Sequence, residues 1–378
     1  MGRAPVFFAR QGNREPTPRR WVTPNMPLAR QFSQCLIRPA DVAPSQDDVE
    51  VVGVFNPGVA DLGQDVLLLA RVAEGPREKR AGWIALPRWD IATDRIVFDW
   101  VREEEVWRED NRSVRFKDTG IVRLTFASHL CIARSHDGRR IDALDPTRFR
   151  PAAPLEEYGI EDPRITKIGD TFYVTYVAIS KHGPATTLVS TRDCLKFERH
   201  GVVFCPDNKD VVLFPEKIDG RYCAIHRPSL SGSLTRPEMW LAWSDNLRDW
   251  GGHEPLCGGT EPWETGRIGA GAPPIRTNAG WLELYHGNDQ KYGEKRVGAY
   301  TASLLLLDED KPSKIIGKSK VVFAPELDFE RKGFVPDVVF PTGIVERDGL
   351  ALVYYGAADT VTAVAAYRVS DLLTAVGA

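Results

Sequence analysis

The feature that most constrains this chain is a motif that recurs five times along it. Each copy has a proline, a β-branched residue soon after it, a short polar turn with Gly or Asp, and an alternating strand that ends in aromatic residues. Alternating strands joined by short Gly/Asp turns are typical of β-hairpins. The motif therefore predicts one hairpin in each repeat, marked by the prolines Pro57, Pro163, Pro215, Pro274 and Pro341.

The spacing of the copies predicts how the hairpins are grouped. Successive motif prolines are 106, 52, 59 and 67 residues apart, and the shorter intervals suit a four-stranded propeller blade. We therefore expect an all-β fold, a five-bladed β-propeller, which 27 prolines and 32 glycines also favour over a helical protein. The alternative, a pair of β-sandwiches, does not explain five similar units. The long first interval holds an insertion whose charged stretch, Val101–Lys117, is expected to be a solvated loop rather than a short helix.

The N-terminal segment differs in composition from the rest of the chain. Its first 40 residues contain seven arginines and a single acidic residue, Glu15. We interpret residues 1–45 as a mobile or loosely docked arm, and residues 46–378 as the propeller domain that carries the catalytic site. An organelle transit peptide fits less well, because the segment is poor in serine and not clearly amphipathic.

Composition excludes several classes of function. With 49 basic and 52 acidic residues, the net charge of −3 argues against nucleic-acid binding. No apolar run of 18 residues suggests a membrane span, and the N-terminus lacks the apolar segment of a secretory signal. Six cysteines without a CxxC pair suggest reduced thiols and a cytoplasmic protein. Seven histidines without paired-ligand spacing predict no metal, and no cofactor is expected.

Polar residues beside the motif prolines are the candidate functional residues. A structural turn needs Gly, Pro, Asn or Asp, and it has no need of lysine, arginine and histidine. Because equivalent positions of five repeats converge, these side chains are expected to meet. Carboxylates with aromatic residues suggest a sugar, and a group of cations suggests an anion beside it. The candidates are Asn56, Glu161, Asp162, Arg164, Lys209, Asp210, Glu216, Lys217, His226, Arg227, Tyr285, His286 and Asp359.

At these residues the sequence resembles glycoside hydrolase family 130, the β-mannoside phosphorylases. The likeness extends from about residue 45 to the C-terminus, and the family's five-bladed propeller agrees with the repeat count. One departure is Asp337, where the family often has asparagine, which puts one contact near the sugar site in question. The strings that carry the resemblance are FNPG from Phe55, GIEDPRIT (Gly159–Thr166), NKDVVLFPEKI (Asn208–Ile218), AIHRPS (Ala224–Ser229), RIGAGAPPI (Arg267–Ile275), YHG (Tyr285–Gly287) and VVFPTG with YYGAADT (Val338–Thr360).

The resemblance implies roles for some of the candidates. It makes Asp162 the general acid, and it places Asn56 and Asp359 on the mannosyl ring. Arg71 is implied in either the sugar site or the phosphate site. Glu161, Asp210, Tyr285 and His286 stand as substrate-binding candidates from their places in the repeats. The implied phosphate-binding residues are Lys209, His226 and Arg227.

A phosphorylase and a hydrolase of this kind need different residues. An inverting hydrolase needs an acid and a base, whereas phosphate is already a nucleophile and needs cations to hold it. We therefore expect phosphorolysis of β-1,2- or β-1,4-linked mannobiose or manno-oligosaccharides to α-D-mannose 1-phosphate, with inversion implied by the resemblance. Inorganic phosphate is then a co-substrate. A β-mannosidase of the same fold and a non-catalytic sugar-binding propeller are the alternatives. The linkage, the acceptor sugar, a possible homo-oligomer and the direction of the Asp162 pKa shift stay open.

Overall fold

The computed structural model describes residues 27–229, 237–291 and 297–378, and these residues form 26 β-strands, numbered β1–β26 in chain order. Five sheets, each built on four antiparallel strands, contain most of them. The expected all-β class is therefore confirmed. Two short helices, α1 (Asp328–Arg331) and α2 (Val369–Ala375), lie near the C-terminus, and 3₁₀ turns occur at Pro39–Asp41, Glu103–Glu105, Pro154–Glu156 and Pro262–Glu264.

The five sheets follow one another along the chain. The first contains β2 (Val49–Asp61), β3 (Val66–Pro76), β9 (Ala127–Ser135) and β10 (Ala143–Phe149). The second contains β11 (Ile160–Ile168), β12 (Thr171–Ser180), β13 (Gly183–Thr191) and β14 (Glu198–Phe204). The third contains β15 (Asn208–Leu213), β16 (Tyr222–Pro228), β17 (Glu238–Ser244) and β18 (Gly251–Gly258). The fourth contains β19 (Arg267–Ala270), β21 (Gly280–Asn288), β22 (Tyr300–Leu307) and β23 (Ile315–Lys318), with β20 (Ile275–Thr277) also paired to β21.

The fifth sheet joins the two ends of the described chain. Its strands β24 (Val339–Arg347), β25 (Leu350–Ala357) and β26 (Val361–Arg368) are C-terminal, and β1 (Phe32–Ile37) pairs antiparallel with β26. Strand β1 lies on the N-terminal side of the division predicted at residue 45, so this part of the expected arm belongs to a sheet. The division itself stays a prediction, and residues 1–26 lie outside the described residues.

An apolar cluster lies between each sheet and the next. Val174 of the second sheet packs with Leu67 of the first, and Leu213 of the third packs with Leu188 of the second. Similar clusters join the third sheet to the fourth and the fourth to the fifth. The series continues from the fifth sheet back to the first, where Tyr354 meets Val54. Burying both faces of each sheet in this way explains why inner strands such as β3 and β25 are almost continuously apolar.

Three sheets share a buried link that fastens the loop before their first strand. Glu156, Glu264 and Glu330 each accept hydrogen bonds from two backbone N–H groups of that loop. Each also accepts a hydrogen bond from a tyrosine of the second strand, at 2.6 Å from Tyr176, 2.8 Å from Tyr285 and 2.6 Å from Tyr355. A cation completes each set: Arg199, Lys318 and Arg30, respectively. We call this arrangement the Glu–Tyr–cation link.

The insertion in the first sheet is ordered, so the expectation of a solvated loop at Val101–Lys117 is wrong. Between β3 and β9 the chain forms the hairpin of β4 (Trp83–Asp90) and β5 (Arg95–Arg102). It then forms a three-stranded sheet of β6 (Val106–Arg108), β7 (Ser113–Phe116) and β8 (Val122–Leu124). Val106 and Val114 are buried against Ile84 and Leu86 of the hairpin, and this apolar contact outweighs the surrounding charges.

The motif prolines are not all structurally equivalent. Pro57, Pro163 and Pro341 lie where the register of the first strand shifts against its neighbour. Pro215 instead follows β15, and Pro274 lies between β19 and β20. Each motif therefore marks one sheet, as predicted, but only three of the five prolines mark the same point in it.

Candidate active site

The first strands of three sheets each contain a polar residue with a positive φ angle at a β-bulge. Asn56, Asp162 and Asp210 have positive φ angles of 50°, 50° and 55°, and each lies at a β-bulge in the first strand of its sheet. A bulge turns a side chain away from the regular alternation, and Asn and Asp tolerate the left-handed conformation better than most residues. The bulges thus explain why residues far apart in the chain approach one another.

These residues lie at a cavity of about 400 Å³. Its wall includes five cationic and four acidic side chains, with Phe126 and Phe340 among the apolar residues. The charged residues are Arg71, Arg112, Lys209, Arg227, Arg267, Glu161, Asp162, Asp210 and Asp359. Eight of the eleven site residues predicted from the sequence therefore border one cavity: Asn56, Arg71, Glu161, Asp162, Lys209, Asp210, Arg227 and Asp359.

Asp162 is held at the cavity by hydrogen bonds from two neighbouring side chains. Its Oδ1 accepts hydrogen bonds from Asn56 Nδ2 at 2.8 Å and from Arg71 Nη1 at 2.9 Å. Arg71 also donates to Glu161 Oε1 at 2.6 Å, and Arg164 donates to the Asp162 backbone carbonyl at 2.6 Å. The side chain is 9% exposed. Asp162 is thus held in a fixed orientation with one face open to the cavity.

The environment moves the pKa values of two cavity carboxyls in opposite directions. Burial disfavours ionisation of Asp162, but the charges of Arg71, Arg164 and Lys209 outweigh it, so its pKa lies below the ordinary value. Burial dominates at Asp359 and raises its pKa, although Arg112 and Arg71 oppose this. Asp162 is therefore ionised near neutral pH, and Asp359 takes up a proton before Asp162 as the pH falls.

Two cations of the cavity wall, Lys209 and Arg227, are each paired with a carboxylate. Lys209 Nζ lies 3.3 Å from Glu161 Oε2, and Arg227 Nη2 lies 3.2 Å from Asp210 Oδ2. Asp210 Oδ1 also accepts a hydrogen bond from Arg164 at 3.2 Å. Although burial raises the pKa of Asp210, Arg227, His286 and Arg164 hold it well below its usual range. Lys209 and Arg227 therefore border the cavity, and each is held in place by a carboxylate.

Three predicted site residues lie away from the cavity wall. Tyr285 belongs to the Glu–Tyr–cation link of the fourth sheet and packs on Trp263. His286 is buried behind Asp210, with Nε2 3.3 Å from Oδ2, and its burial lowers its pKa. His226 contacts Asn208 Nδ2 at 2.9 Å and His253 Nδ1 at 3.1 Å.

His226 is electrically neutral near physiological pH. Burial and the neighbouring His253 lower its pKa to about 3. A neutral imidazole behind the cavity wall lends no positive charge to an anion there. Glu216 and Lys217, which were also candidates, are likewise absent from the cavity wall among the described residues.

Several wall residues were not predicted. Arg112, Ser113, Val122 and Leu124 all come from the insertion, whose charged composition suggests only a surface loop. Arg112 Nη1 lies 3.7 Å from Asp359 Oδ2, which links the insertion to the fifth sheet. The string RIGAGAPPI contains a further wall residue, Arg267, which donates to Tyr300 Oη at 2.8 Å. Ser229 lies in the string AIHRPS, and Val338 and Phe340 lie in VVFPTG, so these wall positions carried the same kind of sequence signal as Arg267. Tyr300 carried none.

Two other predicted features concern residues outside this cavity. Asp337 has a φ of 60°, a conformation that Asn and Asp both adopt, and its carbonyl accepts the Tyr300 N–H at 2.9 Å. Within the described residues, no group of three or more His, Cys, Asp or Glu side chains is arranged to hold a metal ion. The absence of a cofactor stays a prediction. None of the helices in the described part of the chain has the length and apolar character to cross a membrane.

Comparison with known proteins identifies the family to which the chain belongs. Residues 122–377 match the family model of glycoside hydrolase family 130, described as beta-1,4-mannooligosaccharide phosphorylase. The chain is 38% identical over 355 residues to the beta-1,2-mannobiose phosphorylase of Listeria innocua, covering 92% of this chain and 98% of that protein. It is also 36% identical over 252 residues to a 1,2-beta-oligomannan phosphorylase of Thermoanaerobacter, covering 65% of this chain and 81% of that protein.

The structural comparison gives the same family. The Listeria innocua enzyme, solved in complex with beta-1,2-mannobiose, superposes with a TM-score of 0.84 at 38% identity, over 90% of this chain and 97% of that one. The family match covers more than half of the chain, and the similarity to the Listeria innocua protein covers nearly all of it. The chain therefore belongs to glycoside hydrolase family 130, a family of mannoside phosphorylases.

Proposed function

We propose that this protein is an inverting phosphorylase of β-1,2-linked mannosides. It transfers the mannosyl group at the non-reducing end of mannobiose or a short oligomannan to inorganic phosphate. The products are α-D-mannose 1-phosphate and the shortened sugar. The β-1,2 linkage is favoured over β-1,4 because two relatives of 38% and 36% identity are named for β-1,2-linked substrates.

The observation that carries this proposal is the pair Lys209 and Arg227 beside Asp162 in one cavity. The wall contains one more cation than carboxylate, so a bound phosphate meets attractive charge. Arginine suits phosphate because its planar group offers paired donors, and lysine adds a compact charge. We assign Lys209 and Arg227 to phosphate, and we assign Asn56, Arg71 and Asp359 to the mannosyl ring.

Hydrolysis fits the site less well, because it needs a free carboxylate to activate water. Glu161 is bound to Arg71 and Lys209, and Asp210 is bound to Arg164 and Arg227. Both carboxylates are thus committed to cations and are poor bases. A purely sugar-binding protein has no need of the cations next to Asp162.

In the proposed reaction, a phosphate oxygen forms a bond to the anomeric carbon while the glycosidic C–O bond breaks. Asp162 supplies the proton that the departing sugar oxygen needs. The cations around Asp162 lower its pKa and keep it ionised. We propose that bound phosphate reverses this shift. Its negative charges offset Lys209 and Arg227, so the pKa of Asp162 rises when phosphate binds. The acid is then formed only when the nucleophile is present.

We propose that the five sheets are the blades of a five-bladed β-propeller. The apolar clusters that link each sheet to the next, and the fifth to the first, support this arrangement. Strand β1 supports it as well, since it completes the last sheet from the opposite end of the chain. We further propose a cytoplasmic location, which agrees with six free cysteines, and we retain a homo-oligomer as a prediction.

The test is to incubate the protein with β-1,2- and β-1,4-mannobiose, with and without phosphate, and to measure mannose 1-phosphate. We expect mannose 1-phosphate to form only when phosphate is present, and to form faster from β-1,2-mannobiose than from β-1,4-mannobiose. The variant Asp162→Asn should be at least about 10²-fold slower while it still unfolds in one cooperative thermal transition. Release of free mannose without phosphate would contradict phosphorolysis, and no turnover of either sugar would favour a binding protein.

A further inference from the structure

The three-stranded sheet of the insertion has one face that continues the wall of the cavity. Its strands pair so that Ser113 lies opposite Leu124, Arg115 opposite Val122, and Trp107 opposite Arg115. Residues that lie opposite one another in a sheet share a face. Ser113, Val122 and Leu124 border the cavity, so Trp107 and Arg115 lie on the same face farther from it.

The opposite face of this sheet is already buried. Val106 and Val114 pack against Ile84 and Leu86 of the β4–β5 hairpin, which fixes the orientation of the sheet. The sheet cannot rotate without exposing this core. The face that bears Trp107 therefore keeps its orientation beside the cavity wall. Asn111 adds a second attachment, donating to the Phe334 carbonyl at 3.0 Å.

Trp107 is unusually exposed for its size, with 54% of its surface accessible, and Val122 beside the cavity is 43% exposed. Arg115, which lies between them, is fixed by hydrogen bonds to Glu109 Oε1 at 2.8 Å and to the Gly120 carbonyl at 2.9 Å. A rigid tryptophan offers a large flat surface at small entropic cost. Trp107 stands two strands away from Val122, about 9–10 Å along the face.

We infer that this face of the insertion sheet binds the sugar residues of an oligomannan that extend beyond the bond to be cleaved. The inference rests on the proposed function. A pyranose ring presents an apolar C–H face that stacks on an indole, while its hydroxyl groups remain available to a side chain such as Arg115. The cavity holds the end of the chain, and its remaining sugars follow the one continuous wall outwards to Trp107. The protein therefore prefers oligosaccharides to the disaccharide.

The test compares Trp107→Ala with the wild type on β-1,2-linked mannobiose, mannotriose and mannotetraose at saturating phosphate. We expect kcat/KM for the longest sugar to fall about tenfold, while the value for mannobiose stays within about twofold. Trp107→Phe should recover part of the loss. Trp83→Ala is the matched control, because Trp83 is also exposed but lies on the β4–β5 hairpin, and it should show no dependence on chain length.

An equal effect of Trp107→Ala on all three sugars, or none on any, would overturn the inference. The inference would also be overturned if sedimentation showed that Trp107→Ala disrupts an oligomer formed by the wild type. The face would then be a contact between copies of the chain. Calorimetric binding of the same sugars without phosphate separates this inference from the reaction. An affinity that grows with sugar length in the wild type but not in Trp107→Ala supports the surface even if phosphorolysis is absent. Wild-type affinity independent of length rejects the surface.

Discussion

At the scale of single residues, the site depends on the position and the charge of each side chain. Lys209 and Arg227 border the cavity, whereas the neighbouring His226 lies away from its wall and is neutral because burial and His253 lower its pKa to about 3. Positions 226 and 227 are adjacent in β16, and their side chains point to opposite sides of the sheet. Of these two residues, only Arg227 borders the cavity in which we propose that phosphate binds.

Arg227→Ala should raise the KM for phosphate by about 10- to 100-fold, because a charged hydrogen bond contributes about 1.5–3 kcal/mol. The KM for the mannoside should change much less. His226→Gln is the matched neighbour and should leave the KM for phosphate within about threefold. Steady-state kinetics with each substrate varied in turn measures both constants. Equal increases in both KM values for Arg227→Ala would show that this residue only supports the structure.

The Asp162 carboxyl should take up a proton when an anion binds. Its pKa is lowered in the free site, so it is ionised at pH 5, and an added dianion should raise that pKa towards the experimental pH. Sulfate is a suitable probe, since it does not itself titrate in this range. Calorimetry of sulfate binding in buffers of different ionisation enthalpy should show net proton uptake. That uptake should increase as the pH falls from 7 to 5 and should disappear in Asp162→Asn. Uptake that persists in the variant would assign the proton elsewhere.

At the scale of secondary-structure elements, the Glu–Tyr–cation link gives a structural role to Tyr285, which was predicted to bind substrate. Tyr285 is the first residue of the resemblance string YHG, but its hydroxyl donates to buried Glu264, and Lys318 pairs with the same carboxylate at 3.0 Å. Tyr176 makes the same contact with Glu156 in the second sheet. The repeated geometry indicates that Tyr285 holds the loop before β19 in place.

Tyr285→Phe should lower the free energy of unfolding by about 1.5–3 kcal/mol, since Glu264 loses one hydrogen bond in a buried position. Tyr176→Phe should give a loss of similar size. Urea unfolding followed by tryptophan fluorescence measures both. We expect the KM for the mannoside to be unchanged in either variant. A large increase in that KM for Tyr285→Phe alone would return Tyr285 to the substrate-binding residues.

At the scale of the whole molecule, the two ends of the described chain meet in one sheet. Strand β1 pairs with β26, and Arg30 just before it pairs with buried Glu330 of α1, which precedes β24. Without β1, the backbone of β26 becomes an exposed edge and Glu330 loses its cation. Both changes disfavour the folded state, because an unpaired edge promotes association and a buried lone charge is costly.

A chain that starts at residue 39 should therefore lose at least about 3–5 kcal/mol of stability, the usual cost of removing one partner of a buried ion pair. A chain that starts at residue 27 keeps β1 and Arg30 and serves as the control, which should match the full-length protein. Urea unfolding and size-exclusion chromatography measure stability and aggregation. Equal stability of the two shortened chains would show that β1 contributes nothing to the fold.

Local patterns in the residues were sufficient to predict the all-β class and the number of repeated units. Alternation, Pro and Gly/Asp turns act within a few residues, so the five motifs correctly marked five sheets. The same short-range logic brought Asn56, Asp162 and Asp210 forward as candidates, because each stands in a repeated polar turn. The insertion was misread because its charges hide the two apolar residues, Val106 and Val114, that bury it.

Only the tertiary structure decided which of the polar residues share a cavity. Side-chain direction in a strand depends on register, and the β-bulges at Asn56 and Asp162 shift that register by an amount that no local pattern specifies. Charge state depends on burial and on partners distant in sequence, which is why Asp162 is ionised and His226 is neutral. The placement of Arg112 and Trp107 depends on how the insertion packs on its hairpin, a contact formed only when the whole chain has folded.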